Sequence, residues 1–262
     1  MPHIITISNQ KGGVGKTTTA VNLAASLGCL GHPTLLVDID PQANATSAVG
    51  LESDRIESSV YHALVLNQAP QLFNLNHSFK NLSILPSSID LTGAEFELMD
   101  FENRERALTR VLSDLNGDYE YIIIDSPPSL GLLTLNALVV SEWVIIPVQA
   151  EYLALEGLSR MIMTIQRIQT SHHPDLQLLG IVVTLFDGRT NLSQQVLDEL
   201  CNAFPGKILG TPISRSVRLS EAPSFGKPIP YYNARSTGAV QYMKLAEEVV
   251  HVCEKTSIGS GA

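Results

Sequence analysis

The chain has 262 residues, of which 44 % are hydrophobic and 16 % charged, an ordinary globular composition. Its formal net charge of −9 argues against a surface that binds nucleic acid all over. No apolar run approaches the roughly 20 residues that cross a bilayer, and no N-terminal basic and apolar segment predicts a secretory signal. The three cysteines are odd in number and widely spaced, which argues against disulfides, zinc or iron–sulfur clusters and predicts buried, inert thiols in a reducing cytoplasm.

Short β-rich runs alternate with helical patterns along the chain. Near-continuous apolar runs such as 121–124 are typical of strands that are buried on both faces of a parallel sheet. The alternation predicts a doubly wound α/β fold with a mostly parallel sheet and helices on both faces. We expect a single domain over 1–256 and a flexible tail over 257–262. The predicted strands are 3–9, 34–40, 82–88, 121–127, 143–150, 178–186 and 207–213.

The first predicted strand leads into a glycine-rich turn, NQKGGVGKTTTA, at residues 9–20. A strand, such a turn and then a helix are the context of a phosphate-binding loop, which makes the fold of the P-loop NTPase type. Lys16 is expected to reach the β- and γ-phosphates, and the Thr17 hydroxyl to ligate Mg²⁺. The sequence therefore predicts ATP and Mg²⁺ as cofactors. The predicted nucleotide-binding residues of the loop are Lys11, Gly12, Gly13, Val14, Gly15, Lys16, Thr17 and Thr18.

Acidic residues follow two of the predicted strands. Asp38 and Asp40 end the second strand, and residues i and i+2 share a face, so both side chains are expected to point toward the phosphates. Asp40 is also a suitable turn former before Pro41. Asp125 ends an apolar strand and precedes two prolines, the Walker B arrangement in which the carboxylate holds Mg²⁺ through a water.

The loop departs from the common pattern G-x-x-x-x-G-K-T, because Gln10 stands where the first glycine belongs and Lys11 follows. KGGVGKTT resembles the deviant Walker A motif of ParA/MinD-type ATPases, in which Lys11 is the second lysine. DIDPQAN, at residues 38–44, is similar to the D-x-D-P-Q-x-N pattern of that family. The resemblance to ParA/Soj-type chromosome-partitioning ATPases covers nearly the whole chain except for 50–80 and the tail. The further matching segments are 129–138, 151–159, 187–196 and 215–229.

The resemblance implies a homodimer that forms around two ATP molecules. Lys11 of one subunit is then expected to neutralise charge on the phosphoryl group held by the other subunit. It also implies that Asp40 positions the attacking water, that Asp38 lies near Mg²⁺ and that Pro212 lies near the adenine. The expected catalytic residues are Lys11, Lys16 and Asp40, and the expected metal residues are Thr17, Asp38 and Asp125.

Charge is distributed unevenly, because residues 189–244, here called the basic segment, carry 7 Lys/Arg against 3 Asp/Glu. The resemblance implies that the ATP-bound dimer binds double-stranded DNA there without sequence preference, through Arg189 and Arg218. Arg215, Lys227 and Arg235 are expected to support them, since cationic side chains pair with phosphate oxygens. A ParB-type centromere-binding protein is the implied partner that, together with DNA, stimulates hydrolysis. The implied location is the nucleoid in a bacterial cytoplasm.

Three other functions stay open. A MinD-like ATPase would bind membrane through a basic amphipathic C-terminal helix, whereas the last helical pattern carries Glu247 and Glu248 and an apolar face typical of core packing. A nitrogenase iron protein or an amidating or carboxylating enzyme would need a cysteine pair or a second substrate motif. A DNA-binding regulator could use ATP only as a switch. We expect no helix-turn-helix before the first strand and therefore no sequence-specific repression. The apolar face comprises Val240, Met243, Ala246, Val249, Val250 and Cys253.

Overall fold

The computed structural model describes residues 2–52, 56–113, 115 and 118–259. Strands and helices alternate along the chain as the sequence predicts. The strands are β1 His3–Ile7, β2 Thr34–Asp38, β3 Phe73–Asn74, β4 Leu82–Leu85, β5 Tyr121–Asp125, β6 Trp143–Gln149 and β7 Gln177–Thr184. The helices are α1 Lys16–Leu30, α2 Asn44–Ala48, α3 Val60–Leu64, α4 Leu91–Glu97, α5 Ala107–Ser113, α6 Leu132–Val140, α7 Ala154–Ser171, α8 Asn191–Ala203, α9 Val217–Glu221, α10 Ile229–Tyr232 and α11 Thr237–Gly259.

The seven strands form one sheet in the order β3-β4-β2-β5-β1-β6-β7. Every neighbouring pair is parallel except β3 with β4. Ile5 of β1 lies opposite Ile123 of β5 and Trp143 of β6. Parallel pairing brings the carboxyl ends of β1, β2, β5 and β6 to one edge of the sheet, where doubly wound folds bind their ligands.

Helices cover both faces of the sheet, and successive strand residues pack against opposite layers. Leu36 of β2 joins the core under α1 and α11, whereas Leu35 and Val37 join the core under α3 to α6. A third apolar cluster lies between α7 and strands β6 and β7. The doubly wound α/β prediction is confirmed.

The C-terminal helix α11 packs into the core beside α1. Ala246, Val249 and Cys253 of its predicted apolar face are buried, together with Tyr242 and Leu245. Its backbone remains helical to Gly259, the domain boundary at 256 stays a prediction, and 260–262 lie outside the described residues. Among the described residues, no helix has both the length and the apolar character to span a membrane.

Two predictions about local structure are wrong. Residues 207–213 do not form a strand, because Gly210 and the N–H-less Pro212 interrupt the ladder and leave only isolated bridges from Ile208 and Ser214. The edge strand β3 was not among the predicted strands, because its two residues are too few to give a sequence signal. The prediction of three buried thiols holds only for Cys253, because Cys201 is exposed on α8 and Cys29 is partly exposed.

Candidate functional site

The turn between β1 and α1, residues 8–15, is the phosphate loop, and hydrogen bonds fasten it to the ends of two other strands. The Thr184 hydroxyl at the end of β7 donates to the Val14 carbonyl over 2.8 Å. The Asn9 amide donates to the Pro147 carbonyl of β6 over 2.7 Å, and its oxygen accepts the Lys11 N–H over 3.1 Å. The loop is therefore held in place by tertiary contacts.

Helix α1 begins directly after Gly15, whose φ is +83°, in the left-handed region that favours glycine. Gly13 has a φ of +73° for the same turn. No side chain caps the start of α1, so its first N–H groups remain available to an anion. Together with the helix dipole they form a phosphate-binding site.

Lys16 is largely buried at the start of α1, and its Nζ donates to the Lys11 carbonyl over 3.0 Å. Burial lowers the pKa of Lys16, and the carboxylates of Asp125 and Asp40 oppose that effect. The ammonium group therefore lies between the loop backbone and two acidic groups, where it can exchange a carbonyl for a phosphate oxygen.

The side chain of Lys11 lies away from that of Lys16, beside Glu151. Its Nζ pairs with a Glu151 carboxylate oxygen over 2.8 Å, and its side chain is 41 % exposed. Glu151, after β6, also accepts a hydrogen bond from Gln149. Lys11 does not line the cavity beside its own loop, whereas Lys16 does. The two lysines of the motif therefore lie in different surroundings.

Asp125 is completely buried at the end of β5, and neither of its carboxylate oxygens has a hydrogen bond among the described residues. Burial, and next the charge of Asp38, raise its pKa well above the ordinary value, and the nearby Thr17 hydroxyl partly opposes the rise. Leaving a carboxylate buried without a partner is costly. A cation next to Thr17 and Asp125 would remove that cost, so these residues fit a Mg²⁺ ion.

Asp38 and Asp40 have different surroundings. Asp38 is fully buried and accepts three hydrogen bonds, from the Thr46 N–H (2.8 Å), the Thr46 hydroxyl (2.7 Å) and the Asp40 N–H (3.1 Å). Burial raises the pKa of Asp38 to about 6 against the effect of these bonds. Asp40 lines the cavity beside the phosphate loop and Asp38 does not, and the expectations that both face the phosphates and that Asp38 lies near Mg²⁺ stay predictions.

A cavity of about 540 Å³, here called the loop cavity, lies beside the phosphate loop. Asp40 lines it, and the Gln42 N–H fixes this carboxylate over 2.9 Å. A smaller cavity of about 230 Å³ shares Gly15 with it and contains Ile213 and Tyr242, but neither lining includes Pro212. The loop cavity is lined by Gly12, Gly13, Gly15, Lys16, Thr17, Thr18, Val21, Asn22, Asp40, Gln42, Asn44, Ser47, Ala48, Pro128, Ala222, Pro223, Lys227 and Pro228.

Comparison with known proteins identifies the family of the chain. Residues 2–178 match the family described as AAA domain. The sporulation initiation inhibitor protein Soj of Bacillus subtilis is 51 % identical over 249 residues, covering 95 % of this chain and 98 % of Soj. The chromosome partitioning protein ParA of Myxococcus xanthus is 49 % identical, covering 95 % and 88 %. The chain belongs to the ParA/Soj family of chromosome-partitioning ATPases.

A solved structure supports the fold of this ParA/Soj-family ATPase. Cobyrinic acid a,c-diamide synthase from Mycobacterium smegmatis, with bound ADP and magnesium, superposes with a TM-score of 0.85 at 37 % identity. The match covers 97 % of this chain and 96 % of that one. The predicted P-loop fold is therefore confirmed over almost the entire length.

The basic segment of the ParA/Soj-family chain meets the end of β7 close to its first arginine. A parallel bridge joins Phe186 to Ser214, and the Arg215 N–H donates to the Phe186 carbonyl over 3.0 Å. The charge of Arg215 helps lower the pKa of Asp187. The fold thus brings the neighbourhoods of Arg189 and Arg215 together.

The two principal arginines are paired with nearby acids. Arg189 is 89 % exposed and donates two hydrogen bonds to Asp187, over 2.8 and 2.7 Å. Arg218 is 56 % exposed and donates to Glu221 over 3.1 Å. Arg235 is also exposed. Lys227 is exposed as well, and it lines the loop cavity.

Sequence reasoning missed three side chains that shape the site. Thr184 holds the loop, Thr46 holds Asp38, and Glu151 holds Lys11. Only Glu151 had a signal, because the segment 151–159 was among those that carried the family resemblance. The contact between Lys11 and Glu151 spans 140 residues, so no local pattern reveals it.

Proposed function

We propose that the chain is a DNA-segregation ATPase that works as a homodimer closed around two ATP molecules. The observation that carries the proposal is the opposite placement of Lys16 and Lys11. Lys16 lies in the loop cavity, whereas the Lys11 side chain stands outside it at the edge of the loop. A lysine in that place is available to a nucleotide held by a second subunit.

ATP with Mg²⁺ is the proposed ligand of the loop cavity. The free N–H groups at the start of α1 and the Lys16 ammonium would hold the phosphates. Thr17, and Asp125 through a water, would hold the metal, which supplies positive charge against the phosphate oxygens. A relative at 36 % identity has been solved with a bound ATP analogue and magnesium.

Hydrolysis needs a positioned water and a neutralising charge. The Asp40 carboxylate is oriented by the Gln42 N–H and faces the cavity, which suits it to hold the attacking water. Lys11 of the partner subunit would neutralise the charge that develops on the transferred phosphoryl group. The activity is expected to be weak in the isolated chain and stimulated by DNA and partner.

The ATP-bound dimer is proposed to bind double-stranded DNA without sequence preference. Arg189 and Arg218 are exposed guanidinium groups, and Arg215 lies close to the first of them. Each subunit carries only a few such groups on an acidic body, so one subunit alone should bind weakly. Two subunits on one duplex double the contacts and raise affinity by effective concentration.

The packing of α11 favours binding to the nucleoid over binding to a membrane. Ala246, Val249 and Cys253 of the apolar face of α11 are buried in the core and not available to lie in a lipid headgroup layer, whereas Val240 of the predicted face is exposed. The family membership supports a ParB-type protein as the partner that stimulates hydrolysis, in the bacterial cytoplasm. A MinD-like function predicts sedimentation with anionic liposomes in ATP, and our proposal predicts none.

An amidating activity is the second candidate, because one structural relative is named a cobyrinic acid a,c-diamide synthase. The two partitioning relatives are more similar to this chain, at 51 % and 49 % identity against 37 %. A switch without catalysis is the third candidate. Turnover of ATP in the presence of DNA and a ParB-type protein would separate the proposed ATPase from such a switch.

Size-exclusion chromatography with ATP tests the dimer. Asp40→Ala should accumulate as a trapped dimer, and Lys11→Ala should remain a monomer. Lys244→Ala, an exposed lysine on α11, is the matched control and should behave as wild type. Dimerisation of Lys11→Ala equal to that of the wild type would contradict the assignment of Lys11 to the facing subunit.

Gel shifts on unrelated duplexes with ATP, ADP and no nucleotide test the DNA function. Binding should require ATP and weaken steeply with salt, with a log–log slope of about −0.9 for each phosphate neutralised. Equal binding in the three nucleotide states, or strong preference for one sequence, would overturn the proposed gating or the proposed lack of specificity.

A further inference from the structure

Lys227 belongs by sequence to the basic segment but lines the loop cavity. We propose that Lys227 binds the terminal phosphate of the nucleotide and is therefore a nucleotide-binding residue, not a DNA contact. The inference rests on the proposed ATP site and adds to it a cation that lies outside the phosphate loop.

The chain around Lys227 is fastened to α1, just beyond the phosphate loop. The Ile229 N–H donates to the Asn22 side-chain oxygen over 2.6 Å, and the Asn22 amide donates to the Thr18 carbonyl over 2.8 Å. The Lys227 N–H itself donates to the Ala222 carbonyl over 3.2 Å. The lysine therefore stands on a backbone held in place next to the cavity.

A second contact holds the same stretch against the turn that follows α2. Gly226 has a φ of +61°, and a Cβ atom placed there would lie 2.5 Å from the Gly50 Cα atom. The approach therefore excludes a side chain at position 226, where the positive φ also favours glycine. Helix α2 follows Asp40 in the chain, and its Asn44 and Ser47 line the cavity. Lys227 therefore shares the loop cavity with Asp40, the residue expected to hold the attacking water, and with the α2 residues that follow it, and on this ground we assign Lys227 to the terminal phosphate.

Charge supports the assignment. Three charged side chains line the loop cavity: Lys16, Asp40 and Lys227. Among the described residues, Lys227 has no ion pair and no side-chain hydrogen bond, whereas Arg189 and Arg218 are each paired with an acid. An unpaired ammonium group beside a polyphosphate site gains a charge-assisted hydrogen bond when the anion enters.

The proposal also gives ATP a direct contact with the DNA-binding part of the chain. Lys227 follows α9, which carries Arg218, by only a few residues. A phosphate that holds Lys227 would hold the C-terminal side of that helix, and loss of the terminal phosphate would release it. DNA binding could then depend on the nucleotide through this segment as well as through dimerisation.

Nucleotide affinity without DNA tests the proposal. The full chain carrying Lys11→Ala is expected to stay monomeric, and size-exclusion chromatography verifies this, so that affinity reports on one subunit. In that background, Lys227→Gln should weaken Mg²⁺-dependent binding of fluorescent ATP by about tenfold, as expected for loss of one charge-assisted contact. Binding of fluorescent ADP should change by less than about twofold. Lys227→Arg should keep most of the ATP affinity, and Lys244→Gln should leave both affinities unchanged.

The outcomes separate this proposal from the proposed function. Unchanged ATP affinity in Lys227→Gln, with weaker DNA retention of the same substitution in the wild-type background, would make Lys227 a DNA contact and overturn the inference. Equal losses for ATP and ADP would overturn the assignment to the terminal phosphate, and an intact ADP affinity excludes misfolding. Failure of the wild-type chain to bind either nucleotide would overturn the ATP site itself, and the Lys11→Ala parent is therefore titrated beside the wild type.

Discussion

The phosphate loop and the basic segment hold their charged side chains in opposite ways. Lys16 is largely buried at the loop, and Asp125 beyond it is completely buried without a hydrogen bond among the described residues. Arg189 and Arg218 are mostly exposed, and each is paired with an acid three residues away or fewer. Interactions in the first region are strong because little water screens them, whereas those in the second are weak singly and sensitive to salt.

The difference indicates a division of labour. A site that must stabilise charge on a transferred phosphoryl group benefits from buried groups that are fixed before the ligand arrives. A surface that must hold any DNA sequence and then release it benefits from several weak contacts whose sum depends on dimerisation. Single substitutions should therefore have large effects at the loop and graded effects in the basic segment.

The largest expected effect is at Lys16. Lys16→Ala should weaken ATP binding by about a hundredfold or more, because it removes a partly buried cation from the phosphates. Dimerisation and DNA retention should be lost with it, since both require ATP. Isothermal titration with ATP and Mg²⁺ measures the first effect, and affinity within about threefold of wild type would refute the role of Lys16.

Arg189→Glu should impair DNA binding and leave ATP binding intact. It should abolish DNA retention at physiological salt, because it removes one phosphate contact in each subunit and adds a repulsive charge. ATP affinity and dimerisation should be unchanged, since Arg189 lies outside the loop cavity. Arg160→Glu on α7 is the control for the charge reversal and should retain DNA. Normal gel shifts by Arg189→Glu would remove the basic segment from the DNA interface.

The pH dependence of the free energy of unfolding tests the burial of the Asp38 carboxyl group. Burial raises the pKa of Asp38 to about 6, so the folded chain binds a proton there more readily than the unfolded chain does. The contribution of Asp38 to the free energy of unfolding should therefore fall as pH rises from about 4 through about 6, by on the order of 2 kcal/mol. Urea unfolding without nucleotide should show that wild type loses stability relative to Asp38→Asn over this range. A difference that is constant with pH would contradict the burial effect.

The smallest expected effect concerns Asp187. Arg189 lowers the pKa of this partly exposed carboxyl to about 2, so Asp187 is ionised at neutral pH and competes with DNA phosphate for the same guanidinium. Asp187→Asn should raise DNA affinity by about twofold, the scale of a surface ion pair. A salt series in the gel shift checks this, and weaker DNA binding would show that Asp187 orients Arg189 for DNA instead.

Local pattern explains why the phosphate loop was predictable. A strand, a glycine-rich turn and a helix are consecutive in sequence, and they fix Lys16 and Thr17 near one another whatever the rest of the fold does. Asp125 was predictable for a similar reason, because a buried parallel strand ends at the ligand edge of the sheet. These inferences needed only neighbours in the chain.

Long-range contacts explain what the sequence could not show. The oxygens of Asp38 are occupied by Thr46 and the Asp40 N–H. Lys227 lies at the loop cavity because Gly226 meets Gly50, which is 176 positions earlier in the numbering of the chain. The stretch 207–213 has residues typical of a strand, but only isolated bridges form at and just after it. Each outcome depends on a partner that no local window contains.

The most direct test of the account mixes two inactive variants. In the proposed dimer each nucleotide is served by Asp40 of its own subunit and Lys11 of the partner. A heterodimer of Lys11→Ala and Asp40→Ala therefore has one complete site and one site that lacks both groups. Hydrolysis by the equimolar mixture, with DNA and a ParB-type protein present, should rise well above the sum of the two separate proteins. A mixture no more active than that sum, although heterodimers form, would contradict the action of Lys11 across the interface.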